Sequence, residues 1–137
     1  MKSKRYQSRR GAALIEAGLT LSLFLTILFS IYDFGWTLFL HQSLVHRART
    51  AARYAAINPG DLTGAKNLVL YNQTTAGTLA NFGLQPANVT VTRNGTAGTT
   101  EDRIKVNISG YQFLMITFGF AGTHTGHPIN LSVPVEN

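Results

Sequence analysis

Arg9-Arg10-Gly11-Ala12-Ala13-Leu14-Ile15-Glu16 runs directly into Ala17-Gly18-Leu19-Thr20-Leu21-Ser22-Leu23-Phe24-Leu25-Thr26-Ile27-Leu28-Phe29-Ser30-Ile31-Tyr32, and residues 17–32 carry no charge. Together with residues 12–16 this is an apolar stretch of about 21 residues, or roughly 31 Å as an α-helix. That length crosses the hydrocarbon core of a bilayer. Asp33 marks its far end, within an aromatic group of Tyr32, Phe34, Trp36 and Phe39; Tyr and Trp favour the headgroup level. Glu16 is the one acid inside the stretch. A carboxylate in lipid is costly, less so near the interface, and calls for a partner.

Charge placement decides what the basic composition means. The net charge is +6, but Lys2, Lys4, Arg5, Arg9 and Arg10 supply five positives with no acid among them, leaving +1 for the rest. No basic domain surface remains to track phosphates, so no nucleic-acid partner is expected. The same five positives put the N-terminus on the cytoplasmic side and residues 58–137 outside. Zero cysteines exclude disulfides and thiolate metal sites.

Beyond the span the helical pattern continues. Leu44, Ala48, Ala51, Ala52 and Ala55 recur at helical spacing, Arg49 and Arg53 share another face, and Asn58-Pro59-Gly60-Asp61 stops the run. The reading is one continuous helix from about Ala12 to about Ile57. The other reading is a membrane helix and a separate short helix, broken near Gly35. Four segments follow: a solvated basic leader arm over 1–11, a transmembrane helix over 12–35, its amphipathic continuation over 36–57, and a small α+β domain over 58–137. Within that domain Asp61 caps a short helix from Leu62 to Tyr71, and Gln73 to Phe82 is loop or weak helix. The period then changes to two. Val89 and Val91 predict one strand, Ile104, Val106 and Ile108 a second, and Ile129, Leu131, Val133 and Val135 a third, with Pro134 suited to an edge. The fold class is thus α+β: a long N-terminal helix whose alanine-rich half covers a small antiparallel sheet. Residues 111–120 fit a strand, a short helix or a membrane-proximal apolar loop.

Gly11 and Glu16 form the main candidate site. A basic arm, a glycine that admits the backbone to a tight protease site, and a charge-free span read as a prepilin-type processing site cut between Gly11 and Ala12. The new α-amino group of Ala12 would then lie one turn from Glu16, and in a helix assembly that carboxylate could meet the α-amino group of a neighbouring subunit. Arg9-Arg10-Gly11-Ala12-Ala13-Leu14-Ile15-Glu16, the apolar run, Asp33-Phe34-Gly35 and Ala48-Arg49-Thr50-Ala51-Ala52-Arg53-Tyr54-Ala55-Ala56 together resemble the TadE-like family, over about residues 9–57. The resemblance implies a pilin-like fold and a pseudopilin or minor pilin-like subunit of a tight-adherence (Flp, type IVb) pilus system. It implies processing by a prepilin peptidase, residence in the bacterial inner membrane with a periplasmic domain, and contact with other pilin-like subunits, the pilus assembly complex and membrane lipid. The chain departs from the family at Ala17, where an aromatic is frequent.

Two other readings stand beside this one: an uncleaved bitopic protein whose outer domain binds a partner, and a secreted binding domain released from a signal sequence. The mature N-terminus separates them, at Ala12, Met1 or a residue beyond about 30. Asp33 and Gly35 are a candidate helix contact or hinge, the plainer reading being an interface marker and a packing glycine. His124-Thr125-Gly126-His127 lacks a third metal ligand and reads as a solvated loop. No Ser/His/Asp set, carboxylate pair or phosphate loop is present, so neither enzymatic activity nor a cofactor is expected.

Overall fold

The computed structural model describes residues 4–117 and 119–136. Residues 1–3 of the expected arm, and Phe118 within the undecided stretch, lie outside the described residues. Helix α1 runs unbroken from Lys4 to Ile57, 54 residues, or about 80 Å. The helix is continuous through Gly35, as expected and against the alternative of a break there, but it starts eight residues before the expected Ala12. The physical reason is simple. Residues 4–10 hold no proline, and one glycine inside a helix costs only about 1 kcal/mol relative to alanine. The stretch from Gly11 is long and apolar enough to cross a membrane, and none of its most apolar window is buried within the chain.

The end of α1 is built as the sequence dictates. Asn58 N–H still donates to the Tyr54 carbonyl at 2.9 Å, and Pro59 cannot extend the ladder. Asp61 then caps α2 (Leu62–Tyr71), accepting from Gly64 N–H at 2.8 Å. The Tyr54 hydroxyl donates to its other oxygen at 2.7 Å. These two bonds, the Tyr54 bond foremost, hold the Asp61 carboxyl below the usual carboxylate range. A Cβ at position 64 would fall 2.2 Å from the Asp61 carboxylate, so a larger residue there would displace the cap.

Short 3₁₀ turns at Asn81–Gly83 and Pro86–Asn88 lead into β1 (Val89–Asn94) and β2 (Arg103–Ile108). Then come β3 (Gln112–Met115), β4 (Gly122–Thr125) and β5 (Ile129–Pro134). The sheet has the order β1-β2-β5, antiparallel throughout, with Val91, Val106 and Leu131 in register. Pro134 sits on the edge strand. Of the undecided stretch 111–120, residues 112–115 form β3, which pairs with β4 in a separate antiparallel hairpin. His124 therefore belongs to a strand and not to the expected loop; its ring stacks on Phe113.

One core joins these parts. Leu40, Leu44, Ala48, Ala51, Ala52 and Ala55 of α1 meet Ala65, Val69 and Leu70 of α2 and the inward residues of the sheet, chiefly Ile104, Val106, Ile108 and Ile129. Four alanines at 0 % exposure let the helix axis approach the sheet closely. Two ties complete the domain. Arg93 grips the buried Asp102 through two hydrogen bonds of 2.8 and 2.5 Å and holds its carboxyl below the usual range. Glu136 N–H donates to the Ala56 carbonyl at 3.2 Å, satisfying one of the carbonyls that a helix end leaves free.

Because the alanine contact has no spare volume, Ala52→Leu should overpack it and lower stability by about 1–3 kcal/mol. Ala17→Leu, on the exposed part of α1, should leave stability unchanged. Thermal unfolding of the detergent-solubilised chain measures both; an unshifted midpoint for Ala52→Leu would contradict the contact.

Candidate functional site

The buried side of α1 can be followed residue by residue toward its N-terminus. From Ala55 it passes through Ala51, Ala48, Leu44 and Leu40 to Asp33, which is only 4 % exposed, with the buried Thr37 hydroxyl between. The steps are of three or four residues, the helix period. Asp33 therefore occupies a core-facing position, and its carboxylate meets the turn of the β3–β4 hairpin. Ile116 N–H donates to both oxygens, at 3.0 and 2.9 Å. Thr117 donates twice to Oδ2, through N–H at 2.7 Å and through Oγ–H at 2.6 Å. Among the described residues the one ion pair is Arg93–Asp102, so backbone dipoles and a hydroxyl, not a cation, offset the buried charge of Asp33. Bonds to an ionised acceptor are the strong kind.

A second tie lies eight residues further along α1. His41 Nδ1 and the Tyr111 hydroxyl are 2.9 Å apart. Tyr111 is nearly buried, and that burial pushes its hydroxyl pKa up. It stands just before β3. Gly126, just after β4, donates its N–H to the Tyr111 carbonyl at 2.8 Å. A Cβ on Gly126 would fall 2.0 Å from the Tyr111 ring, so only glycine closes the base of the hairpin. The hairpin is thus held at its base by His41 and at its turn by Asp33.

Gly11, Ala12 and Glu16 lie on the exposed part of α1, about 25 to 33 Å along the axis from Asp33. Beyond its own helical turn, no described residue comes within 4 Å of where a Gly11 Cβ would be. Glu16 borders a shallow groove with Ala13, Ala17, Thr20 and Phe24, and it has no ion-pair partner among the described residues. Gly35 is exposed, a Cβ there would meet no described residue beyond its own helical turn, and the helix passes through it unbroken. No cluster of three or more metal-ligating side chains is found among the described residues.

Sequence reasoning singled out Asp33 but missed its partners. The phase of Asp33 with Leu40, Leu44 and Ala48 was the available signal that it faces the domain. Ile116 and Thr117 offered none, because the donors are mostly backbone groups in an irregular turn. His41 and Tyr111 are a pair that only the tertiary structure joins.

Asp33→Ala should leave the Ile116 and Thr117 donors without an acceptor. Amide exchange at those two positions should quicken on the order of tenfold or more, with Ile104 and Val106 in the sheet unaffected. Hydrogen exchange by mass spectrometry or NMR reads this; equal protection in both proteins would show that Asp33 does not hold the hairpin.

No curated protein and no solved structure matches the chain. A family model described as TadE-like protein matches residues 11–53. The match opens at Gly11, takes in the exposed apolar span, Glu16 and Asp33, continues through the buried stripe as far as Ala52, and leaves the sheet outside. From Gly11 to Arg53, along the helix that carries Gly11, Ala12, Glu16, Asp33 and Gly35, the chain is similar to the TadE-like family.

Proposed function

We propose that the chain is a pseudopilin or minor pilin-like subunit of a tight-adherence (type IVb) pilus system, cut by a prepilin peptidase between Gly11 and Ala12. In this reading it sits in the bacterial inner membrane by one pass, N-terminus in the cytoplasm and the α+β domain in the periplasm. It works by assembling with other pilin-like subunits and the pilus assembly complex. The observation that carries the proposal is the TadE-like match beginning at Gly11, on a helix whose most apolar window is unburied within the described residues.

The chemistry of that helix supports it. Gly11 is the weakest point in the first turns, since glycine is the poorest helix former after proline, so a protease can draw the backbone into an extended conformation there. Cutting changes the setting of Glu16. In the full chain it lies mid-helix, with Thr20 Oγ–H donating to its carbonyl at 2.9 Å. After cutting, the helix begins at Ala12 and Glu16 lies near its positive end, where a carboxylate is favoured by roughly 0.3–1 kcal/mol. It also lies within reach of an α-amino group on an adjacent subunit. A pair of this kind matters only in the assembly, because a lone carboxylate near the interface can still find water.

Two measurements test the reading. With its cognate peptidase the chain should lose residues 1–11, and Gly11→Leu should stay uncut, as read by intact mass. A mature N-terminus at Met1 would favour the bitopic reading, and one beyond about residue 30 a secreted domain. Glu16→Ala should be cut and reach the membrane as the parent does, yet lose most of its crosslinking to other pilin-like subunits, since stranding one charge of a buried pair costs about 3–5 kcal/mol. Full assembly of Glu16→Ala at matched membrane levels would remove the assigned role of Glu16.

A further inference from the structure

The β3–β4 hairpin ends in large apolar side chains that the domain does not cover. Leu114, Ile116 and Phe120 are 62, 50 and 68 % exposed, and residues 111–123 carry no charge. The two ties to α1 fix where this end lies. Tyr111 is joined to His41 and Ile116 to Asp33, so β3 descends along the helix toward the span. Phe120 goes further still, lining one cleft with Ser30, Asp33 and Phe34. Ser30 is about 27 Å along the helix axis from Ala12, inside the roughly 30 Å apolar thickness of a bilayer that begins near Ala12.

We propose that the turn of the β3–β4 hairpin dips into the outer face of the bilayer beside the span, with Leu114, Ile116 and Phe120 in contact with lipid. The proposal rests on α1 being a membrane span. Two features on the page select lipid as the occupant. The exposed apolar side chains of the turn are continuous with those of the helix at the same height, where Ile31 and Phe34 are each 67 % exposed. Also, several of the polar groups that would make a turn costly in lipid have partners within the chain. Irregular backbone is tolerated at membrane depth only when its donors and acceptors have partners within the protein, and Asp33 takes up the N–H groups of Ile116 and Thr117 and the Thr117 hydroxyl. The carboxylate is in turn shielded by them. A buried acid at the lipid boundary thus has a specific task, which is to make a protein turn compatible with the membrane.

The test uses the full chain in phosphatidylethanolamine–phosphatidylglycerol vesicles, with and without acyl chains brominated near the headgroup. The chain has one tryptophan, Trp36, which calibrates the reading. In a Trp36→Phe background, Phe120→Trp places the indole on the turn, and Leu114→Trp repeats the reading from β3, so that a poorly folded variant at one position does not decide the matter. Brominated lipid should quench the new indole at least as strongly as it quenches Trp36 in the parent, and acrylamide in the water should quench it weakly. Strong acrylamide quenching without bromine quenching at both new positions, while Trp36 in the parent is quenched by bromine, would overturn the proposal and leave the span intact. Bromine insensitivity combined with crosslinking between copies through position 120 would assign the patch to a neighbouring subunit and overturn it equally. If Trp36 in the parent is itself insensitive to bromine, the span reading fails and the proposal with it.

Discussion

The domain depends on how closely α1 approaches the sheet. Ala48, Ala51, Ala52 and Ala55 have no exposed surface, and a small side chain at each of these positions lets Ile104, Val106 and Ile108 pack almost on the helix backbone. Other features follow from that closeness. The central strand β2 can place three branched residues on one face because the surface opposite is smooth. α2 fits on the flank of α1 because Tyr54 and the Asp61 cap hold the connecting turn tight. The last strand returns far enough for Glu136 to reach the end of the helix. Larger residues in the stripe would push the sheet outward and break these secondary ties together.

The same side of the helix changes its chemistry toward the N-terminus. Above, it is covered by apolar protein. At Asp33 it is covered by hydrogen-bond donors from an irregular turn, and from Gly11 to Phe29 no described residue of another element covers it. Asp33 is placed where one environment gives way to another. A hydrophobic residue there could pack against the hairpin but could not satisfy the Ile116 and Thr117 amides. The arrangement is therefore a local solution to a general difficulty, the cost of leaving backbone polar groups unpaired where water is scarce.

Much of this was legible before the structure. A charge-free run of span length, an alanine stripe at helical spacing and a stop signal at Asn58-Pro59-Gly60-Asp61 define a helix with two different environments. The change to period two marks β1, β2 and β5, with Pro134 at an edge. What could not be read has physical causes. The start of α1 at Lys4 is set by a weak preference spread over a few residues. The β3–β4 hairpin escaped because Phe113, Leu114, Met115 and Ile116 form an unbroken apolar run with no period, and their partner strand, Gly122-Thr123-His124-Thr125, has no apolar signature. The TadE-like match stops at Arg53, so it too is silent on the sheet and the hairpin. The partners of Asp33 were hidden because a carboxylate bound by main-chain amides leaves no trace in the composition of the segment that binds it.

The uninterrupted course of α1 has a mechanical consequence. With no joint at Gly35, the half that carries the exposed apolar stretch and the half that carries the sheet turn as a single shaft. Whatever fixes the rotational setting of Glu16 about the shaft also fixes the compass bearing of the polar outer face formed by Thr90, Thr92, Lys105 and Asn107. The outward display of the domain is thereby keyed from the far end of the helix.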